Sequence, residues 1–501
     1  MTPANETKCK SGVVGLDDIL HGGLPPRRFY LLQGATGSGK TTLALQFLLT
    51  GARAGERVLY ISLSETRDEI EEVARSHGWS LEGLEIVELS AIDEQLSAEG
   101  QNTLFHTAEV ELTETTKLLL DAVDRVRPTR LAFDSLSELQ LLSQSALRYR
   151  REILSFKQHL AGRGCTTLLL DETAASGNDL NVQSLAHGVF ILEQTWPEYG
   201  AERRRFIVKK IRGTTYRGGY HDFIIETGGI VLYPRLVAAE HHRSFKHENI
   251  SSGVEGIDTL LGGGLARGSS SLFVGPPGSG KSTLALHFAL AAAARGERTH
   301  IYSFEESLGT MRARADGLKM GLSKFMEEGV VGATQIDPAE LSPGQLNSLV
   351  RHAVENEGVR IILIDSLNGY LQSMSDERAL SLQLHELVTY LNQQGVVTIL
   401  VLAQHGMIGS MQTPVDVTYL ADTVVMLRYF EAQGAVHKAL SVVKKRTGSH
   451  ERTIRELKIS DRGITVGAPL VDFRGVLSGT PELVKAKPPP AAGRRGHEKK
   501  R

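Results

Sequence analysis

Several features that would place the chain in a specialised class are scarce in its sequence. The 501 residues include only two cysteines, Cys9 and Cys165, which are far apart and form no CxxC pair. Their scarcity excludes a zinc module built from thiolates, argues against a disulfide scaffold and favours a reducing compartment. No apolar run reaches the roughly 18 residues of a membrane helix, and the polar start MTPANETKCKSG lacks a signal-peptide core. We therefore expect a cytoplasmic protein without a membrane partner.

Net charge and aromatic side chains are also low. The formal net charge is −2 and aromatic residues make up 6% of the chain. A near-neutral chain with no stripe of basic and aromatic residues has no general attraction to nucleic acid, so we expect no nucleic-acid partner. Hydrophobic residues, in contrast, make up 41% of the sequence. A chain of this length and composition predicts two or three globular domains with sizeable cores.

The sequence contains a long internal repeat. SGVVGLDDILHGGL, from Ser11, returns as SGVEGIDTLLGGGL, from Ser252, and GATGSGKTTLALQF, from Gly34, returns as GPPGSGKSTLALHF, from Gly275. LAFDS and KKIRGT return in the same order as ILIDS and VKKRTG. Four ordered landmarks indicate a tandem duplication with small insertions and deletions between them.

The repeat sets the expected domain boundaries. We predict an N-terminal tail (1–10), a first domain (11–237), a polar linker (238–249), a second domain (250–478) and a basic, proline-rich tail (479–501) that is disordered. His241, His242 and His247 in the linker are interpreted as solvated residues rather than metal ligands, because no acidic or cysteine companions stand at defined spacing.

Short apolar runs alternate with amphipathic helical segments in both repeats. Continuously apolar runs are typical of parallel strands that are covered by helices on both faces. The sequence therefore predicts an α/β fold, present twice, with a mainly parallel sheet. The predicted strands are Phe29–Gln33, Val58–Ser62, Arg130–Asp134, Thr167–Leu170, Ser271–Val274, His300–Ser303, Arg360–Asp365 and Val397–Val401.

Each repeat carries the phosphate-loop pattern GxxxxGK[ST] between a predicted strand and a predicted helix. Glycines allow backbone N–H groups to turn toward phosphates, the lysine reaches the β- and γ-phosphates of ATP, and the following hydroxyl binds Mg²⁺. A chance glycine-rich turn is the alternative, which two copies in the same context disfavour. The predicted ATP-binding residues are Gly37, Ser38, Gly39, Lys40, Thr41, Thr42, Gly278, Ser279, Gly280, Lys281, Ser282 and Thr283.

Carboxylates follow the predicted strands. Asp134 and Asp365 each end a strand, where a carboxylate faces the Mg²⁺ shell, although an Asp can also cap the next turn. ISLSET contains Glu65, and YSFEES contains Glu305 and Glu306. A glutamate here can orient and deprotonate the attacking group in phosphoryl transfer, whereas the alternative is a solvated turn. The predicted metal ligands are Thr41, Asp134, Ser282, Glu305 and Asp365.

These motifs together resemble the KaiC family of circadian clock ATPases. The tandem phosphate loops, FEES, KIRGT, KKRTG, ISDRG and LSGTPE carry the resemblance, which covers roughly residues 8–478. It implies tandem RecA-like domains in a double-ring hexamer with ATP bound between subunits. It also implies slow ATP hydrolysis in the first domain and autophosphorylation on neighbouring Ser and Thr residues in the second.

The resemblance also implies roles for individual residues. Glu305 and Glu306 match the family's paired catalytic glutamates, whereas in the first domain only Glu65 matches and Ser64 replaces its neighbour. Thr418 stands at the family's acceptor Ser, and Tyr419 stands at its acceptor Thr. The residues that match those reaching a neighbouring subunit's ATP are Lys210, Ile211, Arg212, Thr214, Lys444, Lys445 and Arg446.

Three functions remain open from the sequence. The first is an Mg²⁺-dependent ATPase with Ser/Thr autokinase activity, which works as a hexameric signalling or timing switch with partner proteins. The second is a RecA-like motor that handles DNA, and the third is a scaffold that ATP assembles without kinase activity. If Ser64 marks a divergence of tasks, Glu65 serves slow hydrolysis or structural ATP binding, and the second site alone activates a protein hydroxyl.

Overall fold

The computed structural model describes residues 7–88, 108–143, 145–172, 180–371, 377–404, 417–477 and 481–483. The chain divides into two compact units. The first comprises Met1–Arg235 together with Ser342–Ser348, and the second comprises Leu236–Leu341 together with Leu349–Arg501.

The first unit contains one nine-stranded sheet and its flanking helices. Its strands are β1 (Phe29–Gly34), β2 (Val58–Ser62), β3 (Leu84–Glu88), β4 (Arg130–Asp134), β5 (Thr166–Glu172), β6 (Gly188–Thr195), β7 (Arg203–Ile211), β8 (Tyr220–Glu226) and β9 (Gly229–Tyr233). Its helices are α1 (Leu16–Ile19), α2 (Lys40–Arg53), α3 (Arg67–Ser76), α4 (Ala108–Val126), α5 (Leu136–Leu142), α6 (Ala146–Gly162) and α7 (Leu180–Leu185).

The second unit repeats this arrangement and adds two short strand pairs. Its strands are β10 (Asn249–Ile250), β11 (Leu265–Ala266), β12 (Ser270–Gly275), β13 (Thr299–Ser303), β14 (Val331–Gln335), β15 (Ile361–Asp365), β16 (Val397–Ala403), β17 (Thr423–Ala432), β18 (Ala435–Lys445), β19 (Arg455–Ser460), β20 (Gly463–Pro469), β21 (Phe473–Arg474) and β22 (Glu482–Leu483). A 3₁₀ turn (Ala238–Glu240) precedes α8 (Glu255–Leu260), α9 (Lys281–Ala293), α10 (Leu308–Gly317), α11 (Leu322–Glu327), α12 (Pro343–Glu355), α13 (Leu367–Leu371) and α14 (Glu377–Gln393).

Both large sheets have the same strand order. The first runs β3-β2-β4-β5-β1-β6-β7-β8-β9, and the second runs β14-β13-β15-β16-β12-β17-β18-β19-β20. The first six strands of each order are parallel, and the last four pair antiparallel. The predicted α/β fold with a mainly parallel sheet in each repeat is therefore confirmed, and both units have the tandem RecA-like architecture.

The parallel strands are covered on both faces, which explains their continuous apolar sequence. In β1, Leu32 packs into a core with Leu45 and Phe47 of α2, while Leu31 packs into a second core with Phe156 of α6. Successive side chains of a strand point to opposite faces, so both faces of β1 are buried. The arrangement leaves the carboxyl ends of the strands as the edge where polar loops collect.

The structure describes parts of the segments between and after the repeats. Within the predicted linker, His241 is only partly exposed: its ring lies edge-on to Tyr390 at 5.3 Å and its Nδ1 lies 3.4 Å from Glu355 Oε1. His242 and His247 are exposed. In the predicted disordered tail, β22 pairs with β21 through backbone hydrogen bonds, and residues 484–501 lie outside the described part of the chain.

Candidate functional site

The phosphate loops join β1 to α2 and β12 to α9, and each of these strands is the fifth of the nine in its sheet. Gly39 and Gly280, the residues that precede α2 and α9, have φ values of 99° and 102°. Only glycine adopts this region freely, and a Cβ at Gly280 would lie 2.4 Å from Ile459 Cδ1. The loop geometry therefore requires the glycines that the motif supplies.

The lysine of each loop is held by backbone carbonyls. Lys40 Nζ donates to Gly34 O at 2.9 Å and to Ala35 O at 3.0 Å, and Lys281 Nζ donates to Pro276 O at 2.8 Å. Burial lowers the pKa of both lysines, to about 8 for Lys281. An anion in the loop would favour the charged form of these lysines, which fits a phosphate site.

The other loop residues lie close to the lysines. Ser38 and Ser279 are fully buried, and Ser279 Oγ donates to Pro276 O at 2.8 Å. In the second unit the loop opens into a cavity of about 540 Å³. This volume is in the range of small-molecule sites. The cavity is lined by Gly278, Gly280, Lys281, Ser282, Thr283, Glu305, Glu306, Ser307, Thr310, Arg314, Asp365, Lys438 and Ile459.

A hydroxyl and a buried aspartate meet beside each lysine. Thr41 Oγ1 donates to Asp134 Oδ2 at 3.1 Å, and Ser282 makes the matching hydrogen bond to Asp365. Burial raises the pKa of both aspartates. A hydroxyl and a carboxylate are hard oxygen donors, and Mg²⁺ typically takes one or two carboxylates together with substrate phosphates and water. The residues present therefore fit Mg²⁺, although within the described ranges no cluster of three His, Cys, Asp or Glu residues could hold a metal alone.

Glu65 lies between the end of β2 and the start of α3. Ser62 Oγ donates to Glu65 O at 2.6 Å, and α3 begins with a capping box in which Thr66 N donates to Glu69 Oε2 at 2.7 Å. The carboxylate atom Oε2 is buried without a hydrogen-bond partner among the described residues. Burial, Asp134 and Glu69 raise the pKa of Glu65 to about 7. This places the titration of Glu65 where a general base is most effective.

In the second unit, Ser303 Oγ makes the same hydrogen bond to Glu306 O at 2.6 Å, so Glu306 is the counterpart of Glu65. Glu305 is then the counterpart of Ser64, which is exposed. Glu305 Oε1 accepts a hydrogen bond from Ser366 Oγ, directly after Asp365. Glu305, which has no carboxylate counterpart in the first unit, therefore lies beside Asp365, and both are among the predicted metal ligands.

The predicted trans residues do not lie near the phosphate loop of their own unit. Lys444 pairs with Val424, and Lys210 pairs with Val189, at the amino ends of β17 and β6. Ile211 is buried, Thr214 is partly exposed, and Lys445 Nζ donates to Leu261 O and Gly264 O. The structure thus brings together the loop residues, aspartates and glutamates, and separates them from the basic segments.

The basic segments hold equivalent backbone positions in both units. Lys444 Nζ donates to Thr418 O at 2.9 Å, and Arg446 Nη2 donates to Tyr419 O at 3.2 Å. In the first unit, Lys210 donates to Gln183 O and Arg212 Nη2 donates to Ser184 O at 2.8 Å. Gln183–Ser184 is therefore the structural counterpart of Thr418–Tyr419. Thr418 is partly exposed, and the Tyr419 side chain is 52% exposed.

Sequence reasoning missed five side chains at these sites. Tyr60 OH donates to Asp134 Oδ2 at 2.5 Å, and Thr36 Oγ1 donates to Glu172 Oε1 at 2.9 Å. The other two are Ser366 and Arg314 in the second unit. Glu172 had a signal, because Asp171–Glu172 follows an apolar strand just as Asp134 does. Tyr60 had no such signal, because an aromatic residue within an apolar run is typical of a buried core position.

Comparison with known proteins agrees with this geometry. The family model described as "ATPase: KaiC" matches residues 9–237 and 250–471. The "Circadian clock oscillator protein KaiC" of Thermostichus vulcanus is 27% identical over 489 residues, which cover 96% of this chain and 93% of that protein. The protein of the same name from Synechococcus elongatus is 26% identical over 483 residues (95% and 92%). The "Circadian clock protein KaiC3" of Synechocystis sp. is 26% identical over 481 residues (95% and 94%).

No helix in the described ranges is both long and apolar enough to cross a membrane.

Proposed function

Since this chain belongs to the KaiC family of ATPases, we propose that it hydrolyses ATP in both repeats and phosphorylates Thr418 in the second. The active form is a ring-shaped homo-oligomer, by analogy with the family a hexamer, in which neighbouring subunits share each ATP. It works in the cytoplasm as a phosphate-dependent signalling or timing switch that partner proteins read. The relatives' printed names, which refer to circadian clocks, support the timing role.

One observation supports the proposal: in each unit the phosphate loop and the basic segment lie at opposite ends of the sheet. In the second unit, β17 begins at Thr423, which pairs with Ser271 near the amino end of β12. The phosphate loop begins at Gly275, at the carboxyl end of β12. Six residues of strand span roughly 20 Å. Thr418, Lys444 and Arg446 therefore lie a strand length from Lys281 of the same unit.

A neighbouring subunit resolves this separation. If subunits associate head to tail, the amino end of one sheet faces the phosphate loop of the next, and a ring forms where the rotation between neighbours closes. Lys444 and Arg446 already contact the backbone at Thr418 and Tyr419. Any arrangement that brings these cations to a neighbour's γ-phosphate therefore brings the Thr418 hydroxyl as well. Cations supplied in trans stabilise the charge that develops during phosphoryl transfer.

The residues of the second site then have distinct roles. Lys281 binds the β- and γ-phosphates, and Ser282 and Asp365 hold Mg²⁺, which neutralises phosphate charge when bound. Glu305 accepts the proton of the Thr418 hydroxyl as the new O–P bond forms and the bond to ADP breaks. In the first site Glu65 orients and deprotonates water. Thr41 and Asp134 take the metal-binding role there.

Mixing two inactive chains tests both the transfer and its geometry. A Lys281→Ala chain keeps Thr418 but loses its own phosphate-binding lysine. A Thr418→Val chain keeps the phosphate loop but loses the acceptor hydroxyl. Neither variant alone should carry phosphate on residue 418. After mixing with Mg-ATP, phosphopeptide mass spectrometry should find phosphate on Thr418 of the Lys281→Ala chain.

The outcomes separate the parts of the proposal. If the unmodified protein carries phosphate on Thr418 but the mixture does not, transfer occurs within one chain and the shared site is wrong. If the unmodified protein releases ADP without any phosphopeptide, the autokinase is wrong and a double-ring ATPase remains. Dependence of turnover on single-stranded DNA would favour a DNA-handling motor instead.

A further inference from the structure

Arg314 of α10 holds Glu306 in a two-point ion pair. Its Nε donates to Glu306 Oε1 at 3.1 Å, and its Nη2 donates to Oε2 at 2.7 Å. Its Nη1 donates to Thr283 Oγ1 at 3.0 Å, next to the phosphate-loop serine. Arg314 is 27% exposed and Glu306 is 23% exposed, so water screens this pair only in part. Both oxygens of Glu306 are therefore engaged at the wall of the ATP cavity.

The first unit has no counterpart of this ion pair. Val73 occupies the matching position of α3, two turns after Glu65, and packs against the apolar core there. Glu65, the counterpart of Glu306, thus has no guanidinium beside it, and its Oε2 has no hydrogen-bond partner in the described part of the chain. The first unit lacks both the arginine and the second glutamate.

The absence of the arginine and the absence of the second glutamate in the first unit cancel in formal charge. Glu305, Glu306 and Arg314 carry two negative charges and one positive charge, whereas Ser64, Glu65 and Val73 carry one negative charge. Both sets have the same formal charge. Losing Glu305 alone would leave a site whose remaining glutamate is neutralised by Arg314. Losing both Glu305 and Arg314 leaves one carboxylate with no guanidinium bound to it.

A carboxylate whose two oxygens are both bound by one guanidinium is fixed in place, because turning it toward another group would break two charge-assisted hydrogen bonds. Arg314 thus fixes both oxygens of Glu306 on its own guanidinium. Glu305 accepts a hydrogen bond from the neutral Ser366 hydroxyl and is the carboxylate left to orient the attacking group.

We infer that Arg314 is a positioning residue that withholds Glu306 and assigns the catalytic role to Glu305, and that Ser64 and Val73 form the matching arrangement in which Glu65 serves alone. This rests on the proposed function of the second site. It predicts that the two glutamates of the second repeat become interchangeable once Arg314 is removed.

Transplanting the first arrangement into the second site tests the inference. The full-length chain carries Glu65→Gln throughout, so that turnover reports the second site, and Glu65→Gln/Lys281→Ala gives the background. On this chain Glu305→Ser should lower kcat about 100-fold, a typical loss for a general base. Adding Arg314→Val to Glu305→Ser should recover kcat at least about tenfold, because Glu306 is freed to act.

Arg312 provides the matched control. It lies on the same helix, two residues before Arg314, and its side chain is exposed. Glu305→Ser/Arg312→Val removes the same charge from the same helix and should stay as inactive as Glu305→Ser. KM for ATP should change less than threefold across the series, since rescue acts on the chemical step. A merely structural role for Arg314 would lower activity further in the double variant.

The remaining outcomes also decide. If Glu305→Ser/Arg314→Val is no faster than Glu305→Ser while the Glu65→Gln chain turns over normally, the inference is overturned and the proposed function stands. Equal recovery with Arg312→Val would also overturn it, because charge alone would then explain the rescue. If the Glu65→Gln chain does not exceed the background, the proposed activity of the second site fails, and the inference fails with it.

Discussion

At the scale of single residues, the burial of Glu65 costs the folded protein stability when the carboxylate is ionised. Its carboxylate is half-buried beside Asp134, and the pKa of Glu65 is raised from 4.5 to about 7, first by burial and then by Asp134 and Glu69. Ionisation is therefore less favourable in the folded chain than in the unfolded one. The stability that the protonated form contributes is complete below pH 4.5 and is lost as pH rises through 7.

Glu65→Gln should therefore stabilise the protein at pH 8 while it abolishes hydrolysis at the first site. After allowance for solvent screening we expect a gain of about 1 kcal/mol, or roughly 2–4 °C in the melting temperature of the first unit. At pH 4.5 the gain should vanish, because Glu65 is then protonated. Differential scanning calorimetry at both pH values measures this, with Ser64→Ala as the control at the exposed neighbouring position. A loss of stability at pH 8 would contradict the burial argument.

At the scale of elements, the sequence predicted the strands that are buried on both faces. Val58–Ser62 and Arg130–Asp134 match β2 and β4 in full, because a continuous apolar run ends where a charged or polar loop begins. The antiparallel extension of each sheet was not predicted. In β7, for example, RRRFIVKKI mixes partly buried or exposed basic residues with buried Phe206 and Val208, so no apolar run marks it.

The residues of the candidate site also divide into those that the sequence predicted and those that it did not. The loop residues and Asp134 were predicted because each motif stays local in sequence. Arg314 was not predicted, because its contacts with Glu306 and Thr283 bring together three separate segments. Only a position-by-position comparison of the repeats, which sets Val73 against Arg314, would have indicated it. The contacts of the linker residue His241 were not predicted for a related reason, since Tyr390 and Glu355 are distant from it in sequence.

The turn into α9 gives a test of element geometry. Gly280→Ala should weaken ATP binding at the second site, because φ is 102° and a Cβ there would meet Ile459 Cδ1 at 2.4 Å. An alanine at this positive φ would be strained by about 1–2 kcal/mol, and the phosphate loop would move to relieve that strain. Gly296→Ala is the matched control, since φ is 83° but nothing lies within 4 Å of its Cβ.

Isothermal titration with a non-hydrolysable ATP analogue, on a Lys40→Ala chain, reports the second site alone. Gly280→Ala should weaken binding more than about tenfold, whereas Gly296→Ala should keep its affinity and lose only stability. Equal affinity in the two variants would mean that the loop tolerates the side chain and that the close approach to Ile459 is unimportant.

At the scale of the whole molecule, the proposed shared site makes activity depend on assembly. Lys281 and Asp365 lie at the carboxyl end of the second sheet, and Arg446 lies at its amino end. If the site is shared as we propose, a single chain does not complete its own site, but two chains with different defects complete one together. Random mixing of a Lys281→Ala chain with an Arg446→Ala chain should leave about a quarter of the interfaces with both parts intact.

We expect the mixture to recover about a quarter of the second-site turnover of the unmodified protein, whereas either variant alone stays at background. All chains carry Glu65→Gln so that the first site is silent, and ADP release is followed after subunit exchange. A mixture of Lys281→Ala with Asp365→Ala is the control, because both changes damage the same part of the site and no interface is intact. Recovery in the control would mean that the activity of a mixture does not come from interfaces in which each chain supplies one intact part of the site. No recovery in the test mixture, with mixed oligomers present by native mass spectrometry, would mean that Arg446 serves its own subunit, and the head-to-tail ring would have to be abandoned.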